Sequence, residues 1–159
     1  MNNVNTQLDL LNDILRKKLQ YLQNILVYTK EQSDHLEKDD LDAVSALVQP
    51  KEDAIVKVSE IDDGFQTIYH NIRGIIEAQP ALYKEKIETM KQTIMEIGDL
   101  GIAITVQEGR NKNQIDLAIK AGKNASKTPI QSKKTVTNYY SNMNKQKNTS
   151  NTSTIDFKK

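Results

Sequence analysis

An all-α fold is predicted for this 159-residue chain: an elongated antiparallel three-helix bundle of coiled-coil type, followed by a disordered tail. Three observations carry that expectation. Apolar residues recur at steps of three and four through three long stretches, the spacing that lines one face of a helix. Aromatic residues make up only 5 % and Trp is absent, so aliphatic side chains supply the packing, as in bundles rather than sandwiches. Beyond Lys123 the periodicity stops and Asn, Ser, Thr, Lys and Gln take over, a composition that buries too little to offset its ordering entropy. The boundaries that follow are a helical domain over residues 1–122 and a flexible basic tail over 123–159.

The first helix is read from Leu8, Leu11, Leu15, Leu19, Leu22, Leu26, Thr29, Ser33 and Leu36, with no Gly or Pro to interrupt it. It ends in Glu37-Lys38-Asp39-Asp40, where an Asp is placed to cap the next helix and Asp42 lies in that helix's positive first turn. The second begins near Leu41, with Val44, Leu47 and Val48, and resumes past Pro50 through Ile55, Val58, Ile61, Phe65, Ile68, Ile72 and Ile75. Pro50 inside a helix costs about 3 kcal/mol. A kink there, or a short helix and then a new one with Pro50 in its first turn, accommodates it equally. Gln79-Pro80 marks the next boundary.

The third stretch, Tyr83 to Gly122, differs in kind. Ile87, Met90, Ile94, Ile97, Ile104, Ile115 and Ile119 keep one register, while Met95, Ile102, Val106 and Leu117 open a second stripe. At about 100° per residue the two lie about 160° apart, wider than the arc one core demands. Gly98, Gly101, Gly109 and Gly122 each weaken the helix by about 1 kcal/mol against Ala. Such a segment suits a second partner. Equally, it suits a helix wedged between two others with glycines for close approach, and Ile102 to Val106 is locally open to a strand.

The net charge of +1 hides a division: residues 1–119 hold 13 Lys and Arg against 20 Asp and Glu, a balance of −7, whereas residues 120–159 hold nine Lys against Asp156, a balance of +8. With no Arg and with lysines diluted by Asn and Thr, this tail is expected to be solvated rather than bound to nucleic acid or lipid. Within it, Thr137 to Met143 forms an aromatic island of the size of a linear docking motif. The absence of Cys excludes disulfides, thiolate metal sites and cysteine nucleophiles, and the opening residues carry no secretory signal, so a cytoplasmic protein is expected. His35 and His70 stand apart on different helices, and Asp39, Asp40 and Asp42 lack the rest of a calcium loop. Leu117 occupies the place of the first Gly of a phosphate loop ending at Ala121-Gly122-Lys123. No catalytic residue, metal site, cofactor or small-molecule substrate is expected.

The leucine-rich first helix, the turn Lys38-Asp39-Asp40-Leu41, the run Ala43-Val44-Ser45-Ala46-Leu47-Val48 with Lys51, and Asn111-Lys112-Asn113-Gln114-Ile115 resemble the FlgN family of flagellar type III export chaperones. The closing Tyr139-Tyr140-Ser141-Asn142-Met143-Asn144 is similar to that family's tyrosine-bearing end. Pro50 departs from the usual uninterrupted second helix, and the final Gly of the tyrosine motif is missing. The resemblance implies a cytosolic chaperone that holds hook-associated, hook–filament junction proteins and delivers them to an export gate component. Carried onto this chain, it implies cargo binding at Ile102, Val106, Asn111, Ile115 and Ile119 and export-gate docking at Tyr139 or Tyr140. The rival expectation is a coiled-coil assembly or regulatory protein whose basic tail meets nucleic acid or membrane. Oligomeric state is left open, a homodimer included.

Overall fold

The structure, a computed structural model, describes the backbone of residues 3–121 and 130–150 and the side chains of 3–121 and 131–143. It is an all-α helical bundle, with no strand among the described residues. The helices are α1 (Asn3–Glu37), α2 (Leu41–Ala46), α3 (Val48–Ala78), α4 (Lys84–Ala121) and α5 (Ile130–Ser150); a single 3-10 turn, Pro80–Tyr83, joins α3 to α4. Ile102 to Val106 is thus helical.

The turn after α1 explains why α1 stops there. Asp39 sits at φ 55, its N–H donates to the Leu36 carbonyl, and the Asp40 N–H donates to the His35 carbonyl. This pairing satisfies carbonyls that a helix C-terminus otherwise leaves open. Asp40 then caps α2, its side chain accepting from the Ala43 N–H at 3.1 Å. α2 closes after one and a half turns at Leu47, and α3 starts at Val48. Pro50 therefore lies in the first turn of a new helix, where no N–H is owed to a preceding carbonyl. Of the two arrangements open to the sequence, the break is the one adopted.

The chain divides into two compact units, each made of two stretches distant in sequence. The first, residues 1–26 and 53–103, has a mainly apolar core of Leu8, Leu11, Leu15, Phe65, Ile72 and Met90. Lys18 pairs with Asp62 at 2.6 Å and Lys86 with Asp9 at 2.9 Å at its margin. On α3 the inward residue near the end is Ile76, while Ile75, expected on the apolar face, is exposed.

The second unit, residues 27–52 and 104–159, joins the end of α1, α2, the start of α3, the second half of α4, and α5. Here the expectation of a disordered tail is corrected for residues 130–150, which form α5 and pack against α2. The reason is a narrow inward face: Ser132, Thr135, Val136, Tyr139, Tyr140 and Met143 follow at steps of three and four, and Val136 and both tyrosines are buried. Residues 123–129 and 151–159 of the expected tail lie outside the described residues. No helix among the described residues is long and apolar enough to cross a membrane.

Candidate functional site

The second unit is centred on a lysine. Lys51, in the first turn of α3, falls on the apolar register that Val44 and Val48 begin, and its side chain is wholly removed from solvent. Its Nζ donates to Gln32 Oε1 at 2.6 Å, pairs with Glu108 Oε2 at 2.8 Å, and lies 4.4 Å from the centre of the Tyr139 ring. Two oxygens and a π face thus surround a charge that burial alone would make very costly. Burial lowers the Lys51 pKa, and the attraction and hydrogen bond of Glu108 work against that.

Glu108, from α4, gathers three donors. Besides Lys51 it accepts from the Tyr139 hydroxyl on Oε2 and from the Tyr140 hydroxyl on Oε1 at 3.1 Å. Burial pushes both phenols well above the usual tyrosine range, and the negative charge of Glu108 pushes them further, so both remain protonated donors. The two rings meet edge to face, centroids 5.0 Å apart. Around them, Gln32 Nε2 donates to the Val44 carbonyl at 3.0 Å, and Asn111 Nδ2 donates to the Thr29 carbonyl at 2.9 Å, so α1 is tied to α2 and to α4. Ser132 Oγ, on α5, bonds Asp42 Oδ1 of α2 at the rim. Every member of the network is satisfied, the condition under which buried polar groups specify one arrangement rather than weaken it. Lys51 is thus held out of contact with solvent between Gln32, Glu108 and the ring of Tyr139, with both phenols bonded to the same carboxylate.

The residues expected from the sequence are divided by this arrangement. Val106 and Ile119 are exposed in the second unit, as is Leu117 at 67 %, and Ile102 is exposed at 66 % in the first unit, as is Met95. Asn111 and Ile115, by contrast, are buried within the second unit, Asn111 bonding α1, and neither is free to meet a partner. Tyr139 and Tyr140, expected as docking residues, are interior. At Gly98 and Gly109 an added Cβ would meet nothing within 4 Å, so these glycines serve no close helix contact among the described residues. Gln32 and Glu108 escaped the reading, and Lys51 entered it only as part of a resemblance with no role of its own, because each type belongs on a surface by default. The available signal was positional: Gln32 lies three residues past Thr29, Lys51 three past Val48, and Glu108 four past Ile104, all on inward registers.

No family model, curated protein or solved structure matches the chain.

Proposed function

We propose that the chain is a cytoplasmic, non-enzymatic flagellar export chaperone that holds hook-associated proteins through the outward face of α4 and delivers them to the export gate. The observation that carries the reading is the exposure of Val106 at 47 % and Leu117 at 67 %, eleven residues apart on one side of α4, while Glu108, Asn111 and Ile115 fill the other side. Large aliphatic side chains left in water along a helix are what an amphipathic helix of a partner covers. The resemblance of the quoted sequence motifs to the flagellar chaperone family is what suggests the cargo class and the destination. The same reading takes α1, α3 and α4 as antiparallel neighbours, supported in the second unit by the links from Gln32 to Lys51 and from Lys51 to Glu108. A gate-docking role for Tyr139 or Tyr140 asks that α5 first leave its seat.

The test uses the full chain. Val106→Asp with Leu117→Asp should abolish co-purification of a hook-associated protein, with the unfolding midpoint nearly unchanged, since surface substitutions usually stay within about 0.5 kcal/mol. Retained capture by the double variant ends the proposal. Ile115→Asp is unsuited to this purpose because it charges the core.

The alternative is a non-enzymatic coiled-coil assembly or regulatory protein with a tail for nucleic acid or membrane, favoured by the lysine-only positive charge of residues 120–159. Binding of that kind falls steeply with salt, whereas apolar capture of a helix hardly changes.

A further inference from the structure

We propose that the surface beneath α5 is a helix-binding groove and α5 its resident intramolecular ligand, exchangeable for a partner helix of the same chemistry. That chemistry is an aliphatic residue followed three and four positions later by adjacent aromatic hydroxyls, on a segment free of acidic residues.

Three observations carry this. The first is that α5 owes its helix to being seated. Ten of its 21 residues are Asn, Ser or Thr, and the hydroxyls of Thr135 and Thr137 bond back to the carbonyls of Gln131 and Lys133. Those residue types compete with the helical backbone, and a helix so composed does not persist alone in water. The second is that departure of α5 strands no charge. Lys51 keeps Glu108 and Gln32, both from other helices of the unit, so the buried ion pair stays matched and hydrogen-bonded when the groove is emptied. What α5 supplies is recognition: two hydroxyls to the free lone pairs of Glu108, a ring face to Lys51, and Val136 as an apolar anchor. The third is charge. Ile130–Ser150 contains no acidic residue, and on the wall it faces Asp42 bonds Ser132 while the negative charge of Glu52 acts on Tyr139. An acidic helix with the same anchors is repelled at that wall.

The groove is separate from the exposed side of α4: neither Val106 nor Leu117 belongs to it, so this inference stands or falls apart from the cargo reading. A tethered segment acts on its own groove at about millimolar effective concentration, so an outside helix competes only when α5 is weakened.

The experiment uses the full chain and a fluorescent peptide of residues 130–145 as probe, followed by anisotropy. Tyr139→Ala with Tyr140→Ala in the chain should raise its affinity for the wild-type peptide at least about tenfold over the unaltered chain, because its own α5 no longer competes. The peptide lacking both tyrosines should bind neither. Since the chain has no cysteine, Asp42→Cys with Ser132→Cys provides a lock: oxidised, it should bind no peptide, and reduction should restore the weak binding of the unaltered chain. Equal binding by the oxidised and reduced forms overturns the proposal, as does failure of the disulfide to form. So does an alanine pair that gains no affinity while keeping its helix content. Should that pair unfold the chain, Tyr139→Phe with Tyr140→Phe replaces it and must raise affinity in the same direction.

Discussion

Lys51 and Lys18 make the same kind of bond in surroundings that decide its worth. Lys18 meets Asp62 with both side chains partly in water, where an ion pair contributes about 0–1 kcal/mol. Lys51 meets Glu108 wholly inside, so Lys51→Met leaves a buried carboxylate without its counter-charge and should cost about 3–5 kcal/mol. Urea denaturation of the two variants, Lys18→Met and Lys51→Met, should separate them by several kcal/mol; similar losses would mean that the second unit admits water. The phenols give a pH signature. Both have folded-state pKa values raised above 10.0, so their contribution is fully present below pH 10.0 and is lost as pH rises past it. Lys51, lowered from 10.5, acts the other way beneath that value, because there the unfolded chain holds more protons. Above pH 10.0 the unaltered chain should therefore lose stability more steeply than the Tyr139→Phe/Tyr140→Phe variant in denaturant titrations at fixed pH.

At the scale of elements, the helices and their ends follow from local rules. Asp39 occupies a left-handed backbone position that suits Gly better than any residue with a Cβ, so Asp39→Gly should stabilise the chain by about 0.5 kcal/mol, after the entropy that glycine costs. Gly109 is mid-helix with open space around it, and Gly109→Ala should add about 1 kcal/mol to the unfolding free energy. A loss at Gly109 would reveal close packing there after all. The leucine register of α1, the Asp40 cap and the boundary at Pro80 were legible because each depends on residues a few positions apart. The fate of Pro50 was not, since a kink and a break have the same local sequence and only the packing of α2 chooses between them. For α5 the aromatic island was visible, but three anchors among Asn, Ser and Thr read as a helix only once the groove that seats them exists.

At the scale of the whole molecule, two cores of different character share one chain. The first unit is packed by Leu, Phe, Ile and Met, while the second encloses Thr29, Gln32, Lys51, Glu108 and Asn111. Apolar burial stabilises by area alone, whereas a polar network repays its desolvation only while every bond is in place. Native-state hydrogen exchange should accordingly show the most protected amides in residues 8–15 and 65–76, with those of 130–143 opening at the lowest free energy. Uniform protection across both units would refute this ordering. The fold class was readable from periodicity, which reports burial along one helix at a time. The polar centre was not, because Gln32, Lys51, Glu108 and Tyr139 come from four helices and their pairing is a property of the assembled unit.

The seating of both phenols on one carboxylate gives the molecule a built-in optical signal. A phenol hydrogen-bonded to a carboxylate loses its excitation by proton transfer and emits weakly, and with no Trp in the chain tyrosine light is not drained into an indole. Emission should brighten whenever Tyr139 and Tyr140 are released into water, so the occupancy of their seat is readable in the unlabelled protein, in real time and at low concentration.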